Sequence, residues 1–205
     1  KKRVFGNWEN RFGQSSAGAM LVETADGACM SAGKVRIRKE RSMYIESYWG
    51  SYVGGTDDSL TLLSLLEDFE KDEIGLGEIF ARTGLKALEE RESSLRMTGD
   101  ALRFTNREGM ELNFYYAIDL IGDLAALYLE CLRSGSVNLQ DLDEGLEARN
   151  IRLTANSEEK EVLRAALSDF ADHAKEYDIT EVMDETSLAE FREELKALRR
   201  ELFES

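Results

Sequence analysis

Apolar positions along this chain change their period near residue 56. Before it they tend to alternate, and after it they recur every three or four residues. Val35 and Ile37 alternate with Lys34, Arg36 and Arg38, and Ile45 alternates with Tyr44, Glu46 and Tyr48. With the apolar run at 19–24 and the Asp26-Gly27 hairpin signal, this predicts an antiparallel β-meander over 17–53. Phe5, Trp8 and Phe12 precede it at helical spacing, as a short helix or docking arm would require. Gly54-Gly55 closes the unit.

From there the pattern is mostly helical. Asp57 or Asp58 can cap a helix reaching about Lys71, with Leu62, Leu63, Leu65, Leu66 and Phe69 on its inner side. Gly75 and Gly77 break it, and a second helix is predicted from about Glu78 to Arg91. Residues 101–106 and 110–115 flank Arg107-Glu108-Gly109 as a hairpin. Residues 116–133 are apolar on most sides, which predicts a helix buried mid-domain. A strand at 149–154 and amphipathic helices at 157–177 and 187–203 complete the pattern. Ser187 and Glu190 have the spacing of a capping box.

In the last helix Leu188, Phe191, Leu195, Leu198 and Leu202 form a seam. It packs on the chain's own core or offers a homodimer contact through 187–203. Strands grouped ahead of helices favour an α+β fold over a doubly wound sheet. The expected architecture is an antiparallel β-meander followed by a helix-rich body with a second hairpin and two C-terminal amphipathic helices. One domain over 1–205 is expected, with 1–55 and 56–205 as possible sub-units.

Composition narrows the class. With 205 residues, 42% of them hydrophobic, the chain can bury a real core. Its only two cysteines, Cys29 and Cys131, read as reduced core thiols, which argues against a disulfide scaffold or a zinc site. Proline is absent. No apolar run is long enough to span a membrane, and 1–10 lack the apolar core of a signal peptide, so a soluble cytoplasmic protein is expected.

Charge adds an asymmetry. Residues 1–55 hold nine Lys/Arg against five Asp/Glu, while 56–205 hold 17 against 36, for a net charge of −15. A mildly basic end on a strongly acidic body suits charged partners.

Catalytic chemistry finds little support. A Ser-His or Cys-His mechanism would need His173, the only histidine, which falls at the rim of an apolar helix face. Gly75-Leu76-Gly77 lacks the rest of a dinucleotide fingerprint. Residues 141–145 resemble the start of a calcium loop, but Gly145 stands where a ligand is required. Asp119 and Asp123, one turn apart on the most apolar helix, are a weak candidate for a metal-dependent enzyme site; otherwise no metal and no cofactor are expected.

The leading expectation is therefore a protein that binds another, basic protein: an inhibitor or adaptor, with the immunity-type protein that neutralises its partner as the model. That analogy rests on charge and size, and no motif carries it. Its contact residues would be Asp57, Asp58, Asp68, Asp72, Glu73, Asp141, Asp143 and Glu144. The alternative is a nucleic-acid-associated protein. It would use a sheet face on which Lys34, Arg36 and Arg38 interleave with Tyr44, Tyr48 and Trp49.

Overall fold

The structure, a computed structural model, describes residues 44–86, 94–98 and 101–204, all within the compact unit Glu40–Ser205. Its organising element is the helix α3 (Ala117–Ser134), in which every residue from Ala117 to Cys131 is buried. Helices α1 (Asp57–Glu67), α5 (Ser157–His173) and α6 (Glu185–Phe203) pack around it, together with strand β5 (Asn150–Thr154). A helix surrounded on so many sides must be apolar almost all round, which is the pattern read for 116–133.

The remaining elements are short. β1 (Glu73–Gly75) runs parallel to β5, and β4 (Val137–Asn138) runs antiparallel on its other edge. β2 (Arg103–Thr105) and β3 (Glu111–Asn113) form the expected hairpin, with Phe104 opposite Leu112. α2 (Leu76–Thr83) ends at Gly84, whose φ of 84° suits a left-handed cap. α4 (Leu139–Leu142) is a single turn. No helix among the described residues is long and apolar enough to cross a membrane.

Local chemistry sets the helix ends. Thr56 and Ser59 form a reciprocal capping box at α1, and Asn156 with Glu159 does the same at α5. α6 begins two residues before the expected Ser187: Asp184 is its cap, and its carboxylate accepts the Ser187 N–H at 2.8 Å. α1 stops at Glu67 rather than Lys71, and α2 starts at Leu76 with Gly77 inside it, so the two glycines open that helix instead of keeping it away.

The strand expected to run through 53 is replaced over the described part. Tyr44–Ser47 is a 3₁₀ turn, and the Tyr48 and Trp49 N–H groups both donate to the Ile45 carbonyl, at 2.9 and 2.7 Å. The buried positions here are Ile45, Tyr48 and Val53, spaced three and five apart, so the apparent alternation was not a strand period. The rest of the expected meander lies outside the described residues.

The α6 seam faces inward. Leu188, Phe191, Leu195 and Leu198 are all buried, and α6 lies against α5 and α3. Phe191 meets Phe170 of α5 at 5.3 Å between ring centroids. Packing on the chain's own core therefore occupies the face that a homodimer through 187–203 would have used.

Candidate functional site

The buried carboxylates of α3 hold a piece of backbone. Glu130 Oε2 accepts the Ile45 N–H at 2.7 Å, and Asp123 Oδ1 accepts the Gly54 N–H at 2.7 Å. These two acids are seven residues apart, about 10 Å along the helix. Between them the segment 45–54 lies as a strap. Its hydroxyls reach a row of acids on α6: Tyr48 donates to Glu201, Ser51 to Glu194 at 3.1 Å, and Tyr52 to Glu190 at 2.7 Å. Gly54 is required at the strap's end. Its φ is 74°, and a Cβ there would stand 2.2 Å from the Trp49 ring.

This arrangement shifts two carboxyls. Burial, with Asp58 and Glu194 close by, pushes Asp123 up to about 7 against the opposing hydrogen bonds from Ser59 and Gly54. Burial likewise raises Glu194 to about 7. Asp119 is also buried, one turn before Asp123. Among the described residues no three His, Cys, Asp or Glu side chains come together as a metal site would need. Asp119 and Asp123 are both buried on α3, and one Asp123 oxygen accepts the Gly54 N–H.

Tyr48 is buried and Trp49 half-buried against the core, so neither stands on a solvated sheet face. Tyr44 opens the 3₁₀ turn, and Lys34, Arg36 and Arg38 lie outside the described residues. His173 is exposed at the end of α5, with Nδ1 3.3 Å from Glu176.

Of the eight acids singled out for partner binding, two are internal fastenings. Asp58 is 1% exposed, and its two oxygens accept the Tyr115 and Tyr116 N–H groups at 2.8 Å each. Asp68 accepts the Arg107 N–H at 3.0 Å and pairs with Arg82. The β2–β3 hairpin is thereby pinned to both ends of α1. Backbone N–H groups left without an acceptor there would be costly, and local sequence does not distinguish such a role from a surface charge. Asp57 is exposed at the start of α1, about 15 Å along the axis from Glu67.

The other five lie on two segments that Arg149 and Glu147 tie together. Arg149 Nε donates to Asp72 at 2.9 Å, and its other nitrogens reach the Phe69 and Lys71 carbonyls. The Glu147 N–H donates to Glu67 Oε1 at 3.2 Å. The connection from α4 to β5, with Asp143 and Glu144, is thus clamped against the turn between α1 and β1, with Asp72 and Glu73. Asp141 lies on α4 at the start of that connection. Glu67, Glu70 and Glu147 join the same edge and were not singled out from sequence; only the fold brings them together. Glu70, Asp72 and Glu73 are 87, 77 and 67% exposed at the side chain, although Arg107, Arg149 and Arg152 stand within ion-pair reach of them. Several accessible carboxylates are left on one edge.

A family model described as Immunity protein 68 matches residues 44–202. The chain belongs to that family. No curated protein matches it, and no solved structure does. Both the strap and the acidic edge of this immunity protein fall inside the matched span, whereas Lys34, Arg36 and Arg38 fall before it. The immunity-type expectation, drawn from charge and size, therefore stands on family membership.

Proposed function

We propose that this immunity protein neutralises a toxin protein with a basic active surface, and that it binds the toxin through the edge carrying Asp72, Glu73, Asp141, Asp143 and Glu144. The observation that supports the reading is the Arg149 clamp, which ties the end of the 143–149 connection to Asp72 and to the Phe69 and Lys71 carbonyls. Carboxylates preset on a folded edge lose little freedom on binding. A nuclease-type toxin presents cations for its phosphate substrate, and such cations attract preset carboxylates. The net charge of −15 adds long-range attraction that speeds encounter.

The test is association kinetics with the cognate toxin across a salt series. Replacing Asp72, Glu73, Asp141 and Glu144 together with Asn or Gln should slow association and flatten its salt dependence, because screening acts on these charges. Unchanged association and protection in that variant, with its fold intact by circular dichroism, would remove the acidic edge from the interface. The same assay run with single-stranded nucleic acid in place of the toxin distinguishes the alternative partner class.

A further inference from the structure

Cations gather on one face of α6, against the trend of an acidic chain. Arg192, Lys196, Arg199 and Arg200 recur at helical spacing. Lys196, Arg199 and Arg200, with Ser168, Ala171 and Asp172 of α5, line an open cavity of ≈330 Å³. Its wall is already organised. Arg192 Nε donates to the Ala171 carbonyl at 2.5 Å and ties the two helices together beside the cavity. Arg199 Nη1 donates to Ser168 Oγ at 3.0 Å and Nη2 to Glu204 at 2.9 Å. Its Nε is buried and has no partner. Lys196 holds Glu193 at 2.7 Å on its outer side. A buried guanidinium N–H without an acceptor is uncommon.

We propose that this cavity binds a phosphate group. Two arginines and a lysine are donors that phosphate oxygens accept, and the planar guanidinium suits them best; the Ser168 hydroxyl is already engaged, donating to the Arg164 carbonyl at 2.8 Å. All of its lining residues except Ala171 carry a charge or a hydroxyl. Asp172 sets a further condition. A carboxylate in a cationic wall repels a bare anion unless the anion offers a proton. Hydrogen phosphate does so near neutral pH, whereas sulfate carries none. The site should therefore prefer phosphate over sulfate, with the phosphate hydroxyl donating to Asp172 and its oxygens accepting from Lys196, Arg199 and Arg200. This inference does not depend on the toxin-binding reading, since the cavity lies between α5 and α6 and shares no residue with the acidic edge.

Isothermal titration of the full chain with inorganic phosphate, in chloride buffer of fixed ionic strength, tests the proposal. Parallel titrations use sulfate, a nucleoside monophosphate and an acidic peptide. Saturable one-to-one phosphate binding is expected. It should weaken about tenfold or more in Lys196→Met and in Arg200→Met, the loss expected for one charge-assisted hydrogen bond. Arg164→Met, on the exposed face of α5, should leave it unchanged. Sulfate should bind more weakly than phosphate, and Asp172→Asn should remove that difference. Binding of the nucleoside monophosphate at the same residues identifies a phosphate ester as the ligand; its failure beside phosphate restricts the site to the free ion. No saturable phosphate binding, equal binding in the Lys196 and Arg200 variants, or binding of the acidic peptide alone would overturn the proposal.

Discussion

Gly54 and Asp123 are joined by a 2.7 Å hydrogen bond from a backbone N–H to a fully buried carboxylate. That bond anchors one end of the 45–54 strap to α3, as Glu130 and Ile45 anchor the other. Removing the acceptor should strand the Gly54 donor. Asp123→Ala is expected to destabilise the fold by about 2–3 kcal/mol, from a lost charge-assisted bond and a small cavity. Asp123→Asn keeps an acceptor oxygen and avoids burying a charge, so it should cost less than about 1 kcal/mol. Urea unfolding of the two variants measures the difference. Equal losses would mean that Gly54 does not depend on this oxygen.

The same carboxyl makes stability depend on pH. Asp123 and Glu194 are both raised to about 7 in the folded protein, from ordinary values near 4. Between those limits the folded state holds more protons than the unfolded one. Their contribution is therefore full below the unfolded values and is lost as pH rises through about 7. Asp169 works the other way: the Arg96 guanidinium lowers it, so its contribution is lost only in acid. Stability should accordingly fall between about pH 4 and about pH 7 and level off above it, and the fall should be smaller in Asp123→Asn and in Glu194→Gln. Denaturation midpoints across that range decide it. A slope identical in all three proteins would place the titration elsewhere.

Arg149 separates two accounts of the acidic edge. If only net charge mattered, removing a cation should improve binding to the basic toxin proposed as partner. In the structure Arg149 holds the 143–149 connection to Asp72 and to the Phe69 and Lys71 carbonyls. Arg149→Met should therefore weaken toxin binding and cost about 1–3 kcal/mol of stability, because it leaves those acceptors without their charged donor. Toxin affinity and unfolding free energy, measured together, test this. Tighter binding in the variant would favour simple charge over preset geometry.

What the sequence made legible follows from period. α3, α5 and α6 repeat their apolar residues over three or more turns, and a pattern that long has one reading. Cys131 behaves as the expected core thiol: it is buried, its sulfur lies 3.3 Å from the Leu153 N–H, and burial raises its pKa. The strap was misread because Ile45 and its neighbours offer too few positions to separate a turn from a strand. Asp58 and Asp68 were misread because a carboxylate that fastens a distant backbone looks locally like a surface charge. Both halves of the acidic edge were visible, yet their meeting depends on Arg149 and on the parallel pairing of β1 with β5, contacts about 80 residues apart in sequence that local patterns do not encode.

Gly122 shows how closely α6 seats on α3. A Cβ at this mid-helix position would stand 3.0 Å from Leu195 Cδ2 and 3.6 Å from Val53 Cγ2. Helix propensity alone favours Gly122→Ala by up to about 1 kcal/mol. Leu195 is fully buried, however, and a methyl pressed against it must displace part of the seam. Gly122→Ala should therefore be net destabilising, by about 1–2 kcal/mol. Leu195→Ala should cost about 2–5 kcal/mol as a cavity. The double variant should be more stable than the sum of the two losses implies, since the new methyl fills part of the space that leucine vacates. A four-member unfolding cycle gives the coupling. Strict additivity would mean that the two residues are not in contact and that α6 sits less tightly on α3 than this structure places it.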